Sequence, residues 1–166
     1  MINVKLLCVG KLKEKFYADA CAEYAKRLGR YCRLDITELP ESRLPQAPTP
    51  GEIAAALEKE GEAIRARIPP GSIVVALCVE GEAYSSEQLA QALTRWAQAG
   101  SKGLVLVIGG SYGLHPSVKK LARLTPYFSA YFIRDCRYAM SCVILLLMKD
   151  MAPSHQVVVR NFNFNR

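Results

Sequence analysis

Residues 103–115, GLVLVIGGSYGLH, decide the fold of this chain. The apolar run 103–108 is typical of a strand that is buried on both faces of a parallel sheet. Gly109, Gly110 and Gly113 then predict a tight loop, and a helix is predicted over residues 116–124. Ligands of open α/β sheets bind beyond the carboxyl ends of the strands, where glycine lets the backbone approach them closely. The loop matches neither the P-loop nor the dinucleotide fingerprint, so its spacing fits a structural turn as well as a cofactor site.

Outward from this stretch, strand-like and helix-like patterns alternate along the chain. Apolar runs predict strands over residues 3–9, 33–39, 72–79 and 126–133, and helical periodicity predicts helices over 16–28, 52–68, 85–98 and 139–151. Residues 40–50 contain four prolines and are predicted to form a mobile loop. The alternation predicts one α/β domain, residues 1–166, whose helices cover both faces of a parallel-rich sheet.

The composition favours a soluble, cytoplasmic protein with one buried core. The chain has 166 residues, of which 51% are hydrophobic, and this is enough for a core without disulfides or metals. The six cysteines lack metal-ligand spacing, and we interpret Cys8 and Cys78 as small hydrophobic residues inside strands. No signal peptide or membrane-length apolar run is recognised.

The charge of the chain indicates either a polyanionic partner or a basic, solvated surface. The formal net charge is +7, which is compatible with both interpretations. Several basic residues gather around the first predicted helix, where they either track phosphates or form a solvated face, among them Lys11, Lys13, Lys15, Arg27, Arg30 and Arg33.

Residues with catalytic chemistry are few. A second glycine-bearing loop, residues 80–83, leaves the neighbouring strand at the same predicted sheet edge. His115 and His155 are candidates for a base or a phosphate ligand, although a lone histidine after a turn is more often a cap. We find no metal cluster, catalytic triad or carboxylate pair, so no metal is expected and no catalytic residue is identified. This pattern suits a reaction whose driving force resides in a cofactor.

Several motifs together resemble the rRNA large subunit methyltransferase H family. They are residues 9–16 (VGKLKEKF), 22–24 (AEY), 26–28 (KRL), 58–61 (EKEG), 85–90 (SSEQLA) and 107–115 (VIGGSYGLH), in one register over residues 1–124. The resemblance implies a knotted α/β fold of the SPOUT class and a homodimer. It also implies S-adenosylmethionine as methyl donor and methylation of N3 of a pseudouridine in helix 69 of 23S rRNA on the assembled ribosome.

By position, the resemblance places the family's cofactor contacts on two strand ends and one later segment. The strand ends are Leu77 and Gly109. In ungapped register the later segment is Phe128, Ser129, Ala130, Tyr131, Phe132 and Ile133. The resemblance does not identify the group that removes the N3 proton.

Beyond about Thr125 the chain departs from the family pattern. In ungapped register, Asp135 and Cys136 occupy the positions of a family His-Gln pair. A rival register uses residues 151–156 (MAPSHQ) for that motif and moves the cofactor segment to residues 148–153. We favour the ungapped register, because strand, loop and apolar helix then follow in the expected order. The alternative function is a ribosome- or RNA-binding protein that keeps the fold but has impaired catalysis.

Overall fold

The computed structural model describes residues 1–82 and 101–123, together with the single residues Gln88, Gln91, Ala92, Arg95 and Thr125. Four strands of these described residues form one sheet in the order β2-β1-β4-β3, and every neighbouring pair among them is parallel. The strands are β1 (Ile2–Val9), β2 (Cys32–Leu39), β3 (Ile73–Leu77) and β4 (Leu104–Ile108). The predicted α/β architecture with a parallel sheet is therefore confirmed.

Within the described ranges, the bounds of three helices are defined, and the buried side chains form one core on each face of the sheet. They are α1 (Lys15–Leu28), α2 (Pro50–Arg65) and α3 (Pro116–Lys119). One core contains Cys21 and Leu28 of α1, and the other contains Ile64 of α2 and Val118 of α3. Both faces of the sheet are therefore covered, which explains why β4 is buried along its whole length.

Two helix ends differ from the predicted ones, because a capping box sets the start of α2 and a contact with the sheet follows the end of α3. Helix α2 begins at Pro50, before the predicted residue 52, because Thr49 and Glu52 form a reciprocal capping box with proline in the first turn. Helix α3 ends at Lys119, well before the predicted residue 124. The chain then turns toward the sheet, because Arg123 donates its backbone N–H to the carbonyl oxygen of Val74 in β3.

The remaining elements agree with the sequence patterns to within a few residues or lie outside the described residues. Strand β3 is shorter than the predicted 72–79, because the chain turns after Leu77 and Gly81 N–H bonds to the Cys78 carbonyl. The described residues between 88 and 95 are helical, as predicted. The predicted strand 126–133 and helix 139–151 lie outside the described residues, and the single-domain assignment of 1–166 stays a prediction.

The described cysteines behave as hydrophobic core residues. Cys8, Cys21, Cys32 and Cys78 are buried and free of disulfides. Burial raises the pKa of the Cys32 and Cys78 thiols, which therefore stay protonated and unreactive at neutral pH. The interpretation of Cys8 and Cys78 as small hydrophobic residues is confirmed. In the described part of the chain, no helix has both the length and the apolar character that a membrane span requires.

Candidate functional site at the carboxyl edge of the sheet

The register of the sheet brings Leu77 and Gly109 to the same edge. Leu77 is the last residue of β3 and pairs with Ile108 at the end of β4. Gly109 follows Ile108 directly, so the two residues lie at adjacent strand ends. Both are buried. This is the edge at which parallel α/β sheets bind their ligands.

The glycine loop is a tight turn that closes on its own backbone. Gly113 donates its N–H to the Gly110 carbonyl at 3.0 Å and has a φ of +85°, a backbone conformation that favours glycine. A Cβ at Gly109 would lie far inside van der Waals contact with the Gly113 carbonyl group. The turn alone therefore requires glycine at position 109, whether or not a cofactor lies nearby.

Glu41 anchors this turn from a distant part of the sequence. Its Oε1 accepts hydrogen bonds from the backbone N–H of Ser111 at 3.0 Å and from Ser111 Oγ at 2.7 Å. A Cβ at Gly110 would lie 3.1 Å from the same oxygen. Glu41 belongs to the proline-rich loop, and no sequence signal singled it out. The predicted mobility of residues 40–50 stays a prediction, but the loop is held to the glycine turn at this point.

A cleft of about 460 Å³ lies between the proline-rich loop, helix α2 and the glycine turn. Its walls include Ala56 and Leu57 of α2 and the exposed ring of Tyr112. Glu60, only 8% exposed, also lines it, and its Oε1 accepts the backbone N–H of Ser42 at 2.7 Å. Buried carboxylates are rare unless they are hydrogen-bonded. Here the bond fixes the proline-rich loop on α2.

His115 acts as a helix cap. Its Nδ1 accepts the backbone N–H of Ser117 at 3.3 Å and lies 2.8 Å from Ser117 Oγ. Its Cβ packs closely on Gly61 of α2, where an added methyl group would lie 2.9 Å away. Because Nδ1 accepts a hydrogen bond, the neutral ring carries its proton on Nε2. The capping interpretation of His115 is therefore confirmed, and the Nδ1 lone pair is used by the Ser117 N–H.

The loop that follows β3 is tied to the segment after α3. The Lys119 ammonium group donates a hydrogen bond to the Glu80 carboxylate and holds the pKa of that carboxyl below its usual range. Glu82 donates its N–H to the Thr125 carbonyl at 2.8 Å. Arg123 lies beside the start of β3, where it bonds to Val74, and Thr125 lies beside the loop that follows β3.

The basic residues predicted around the first helix fall into two separate groups. Lys11, Lys13 and Lys15 are exposed at the carboxyl edge, directly after β1. The three arginines lie at the other end of α1: Arg27, Arg30 and Arg33. Helix α1 has 14 residues and is therefore about 20 Å long. Arg27 is bound to Glu23 at 2.8 Å.

The other predicted site residues lie outside the described part of the chain. They are His155, the segment Phe128 to Ile133 and the alternative segment 148–153. Within the described ranges there is no group of three or more His, Cys, Asp or Glu side chains that could hold a metal ion.

Comparison with known proteins identifies the family. The profile of the family described as "Predicted SPOUT methyltransferase" matches residues 2–145. The chain is 42% identical over 130 residues to the "Ribosomal RNA large subunit methyltransferase H" of Ligilactobacillus salivarius, which covers 78% of this chain and 82% of that protein. The protein of the same name from Limosilactobacillus reuteri is 42% identical over 121 residues, or 73% of this chain and 76% of that protein. The chain thus belongs to the ribosomal RNA large subunit methyltransferase H family, within the SPOUT methyltransferases.

Proposed function

We propose that this chain transfers a methyl group from S-adenosylmethionine to N3 of a pseudouridine in helix 69 of 23S rRNA, on the assembled ribosome in the cytoplasm. The observation that carries the proposal is the meeting of Leu77 and Gly109 at adjacent strand ends on the carboxyl edge. Family membership supplies the methyltransferase chemistry. The names of the relatives supply the RNA class.

The residues at this edge fit the methyl donor in part. Leu77 gives an apolar surface, and the turn after Ile108 brings backbone groups to the same place. Cofactor pockets commonly combine an apolar wall with a few backbone donors and acceptors. The space beside the Gly109 Cα is filled by the Gly113 carbonyl, so we assign contact with the donor to the backbone at Gly109.

We propose that Phe128 to Ile133 form the third wall of the donor pocket. The path from Arg123 to Thr125 heads to the carboxyl edge beside β3, which supports a wall that begins a few residues later. The family profile ends at residue 145, so it includes this segment and stops before the rival segment 148–153. Both observations favour the ungapped register.

The methyl transfer depends mainly on how the protein positions the donor and the acceptor. S-adenosylmethionine supplies an activated methyl group on a sulfonium, so the protein needs to align donor and acceptor and exclude water. The Glu41 bonds to Ser111 hold the glycine turn rigid for that purpose. The N3 proton must also leave, and His115 is not proposed as its acceptor because its Nδ1 is used in capping.

The knot and the homodimer are part of the proposal. Both would involve residues after Thr125, and the apolar run 143–148 (VILLLM) would be an exposed patch on a monomer. We expect the protein to sediment as a dimer at micromolar concentration. A monomer under those conditions would rule out this part of the proposal.

A methyl-transfer experiment tests the function directly. The protein is incubated with labelled S-adenosylmethionine and with ribosomes that lack the helix 69 methyl group, and the label is mapped by mass spectrometry of RNA fragments. We expect one methyl group on a pseudouridine of helix 69. Ribosome binding without any methyl transfer, and without S-adenosylmethionine binding in calorimetry, would support the alternative of an RNA-binding protein with impaired catalysis.

A further inference from the structure

The segment between β1 and the first turn of α1 presents cations and an aromatic ring to solvent. Lys11, Lys13 and Lys15 are exposed. Phe16 is 62% exposed, the most exposed aromatic ring among the large hydrophobic residues of the described chain. A single exposed ring is common on protein surfaces, but a ring with three exposed lysines within five positions of it combines a stacking surface with positive charge.

The fold fixes the direction of these side chains. Leu12 packs against the core on the α1 face of the sheet. Its backbone N–H donates to Glu38 Oε1 at 3.0 Å, so this carboxylate holds the loop in place. Gly10, with a φ of +103°, donates its N–H to the Leu39 carbonyl at 2.8 Å. With Leu12 pointing inward, Lys11 and Lys13 on either side of it point outward.

The rings of Phe16 and Tyr17 form a pair next to these lysines. Their centroids are 3.7 Å apart and their planes are inclined by 38°. Tyr17 supports Phe16 from one side, while Phe16 stays open to solvent. Proteins that bind single-stranded nucleic acid combine such a ring, on which a base stacks, with cations that follow the phosphate backbone.

Charge decides between an RNA and a second copy of this chain as the partner. The surface carries three ammonium groups against two carboxylates, Glu14 and the Glu38 group that holds Leu12, and the whole chain has a net charge of +7. A second copy would bring like charge to this surface, whereas RNA brings phosphates. The surface also lies at the edge that holds Leu77 and Gly109, where the substrate must arrive.

We propose that Lys11, Lys13, Lys15 and Phe16 form a docking surface for the ribosomal RNA substrate. The lysines bind phosphates on either side of an unpaired nucleotide, and the Phe16 ring stacks on its base. The proposal rests on the proposed function, because it assumes an RNA substrate. It adds which surface of the enzyme meets that RNA.

The test compares five variants with the wild-type protein. They are a triple Lys11→Ala, Lys13→Ala, Lys15→Ala variant, the single variants Phe16→Ala, Phe16→Tyr and Phe16→Leu, and an arginine control in which Arg30→Ala and Arg33→Ala remove two cations from the opposite end of α1. Binding to ribosomes lacking the methyl group is measured at several salt concentrations, and calorimetry measures S-adenosylmethionine binding as a check of the folded donor site.

We expect the triple variant to lower the slope of log affinity against log salt by about 2–3, because each lost phosphate contact removes roughly 0.7–0.9. Phe16→Ala should weaken ribosome binding roughly 5- to 100-fold. Phe16→Tyr should keep most of the affinity, and Phe16→Leu should lose it despite being apolar, because only an aromatic ring stacks on a base. The arginine control should bind as the wild type does, and all variants should bind S-adenosylmethionine equally.

Three results would overturn the docking surface. These are an unchanged salt slope in the triple variant, an equal loss in the arginine control, and conversion of a wild-type dimer to a monomer by Phe16→Ala. In each case, methyl transfer by the wild-type protein would leave the proposed function intact. If the wild-type protein neither binds nor methylates ribosomes, the proposed function fails, and the docking surface fails with it.

Discussion

Strand β4 lies between two glycines that look alike in sequence but have different surroundings. Gly103 precedes the strand at the amino edge of the sheet, and Gly109 follows it at the carboxyl edge. A Cβ at Gly103 would lie 2.9 Å from the Asn3 carbonyl oxygen, and its own carbonyl accepts the Ile73 N–H at 2.9 Å. At Gly109 the close neighbour is the Gly113 carbonyl group, within the turn that Glu41 anchors.

At Gly103 and Gly109 alike, glycine is needed for steric reasons, and this need is distinct from a functional role. Both positions exclude a side chain, so neither glycine is evidence of a ligand. Gly103 is enclosed by strand pairing alone, whereas the Gly109 turn also borders Leu77 and the cleft lined by Tyr112. Function is therefore inferred from what surrounds the carboxyl-edge turn, and alanine substitutions can distinguish the two ends.

The largest effect is expected for Gly109→Ala. The added methyl group would meet backbone atoms that cannot move without opening the turn, so we expect a loss of roughly 3 kcal/mol in the free energy of unfolding. S-adenosylmethionine binding should fall below detection. Gly103→Ala should cost about 1–2 kcal/mol and leave the affinity of the folded protein for S-adenosylmethionine unchanged. Denaturant unfolding and calorimetry measure the two quantities.

Gly51→Ala serves as the neutral reference for this pair. No atom lies within 4 Å of a Cβ at this position in α2, so neither stability nor donor binding should fall. If Gly103→Ala and Gly109→Ala reduced donor affinity equally in the folded state, the two edges would not differ in function, and the comparison would lose its meaning.

A smaller effect is expected for Glu41→Gln. The amide oxygen can still accept from Ser111, but without the charge these bonds are weaker. We expect the closed form of the turn to be destabilised by about 0.5–1.5 kcal/mol. Because donor binding requires the closed turn, the KM for S-adenosylmethionine should rise roughly 2- to 10-fold. Steady-state methyl transfer should show this rise with little change in ribosome affinity.

Glu62→Gln is the matched control for Glu41. Glu62 lies in α2 and is exposed, so its neutralisation should leave the KM for the donor unchanged. An equal rise in both variants would show that the effect comes from net charge and not from anchoring of the turn.

Local sequence patterns predicted the sheet and helices, because hydrophobic periodicity reports burial directly. The pattern around β4 also predicted the glycine turn. The sequence T-x-x-E at residues 49–52 is itself a capping-box pattern, and it predicts that α2 begins directly after Thr49, as the structure has it. The end of α3 could not be predicted, since the bond from Arg123 to Val74 joins residues far apart in sequence.

The site was less accessible to sequence reasoning than the fold. Glu41 and Ser111 are 70 positions apart, and no local pattern announces their contact. The lysines and the arginines lie apart because α1 separates them. The helix predicted over residues 16–28 already implied this distance. The placement of Phe128 to Ile133 stays a prediction, because these residues lie outside the described part of the chain.

The most direct test of the account is a crystal structure of the protein with bound S-adenosylmethionine. We predict density for the donor at the carboxyl edge, in contact with Leu77, with the backbone at Gly109 and with residues 128–133. Density in the cleft between Glu41 and Tyr112, or against residues 148–153 in place of 128–133, would contradict the account.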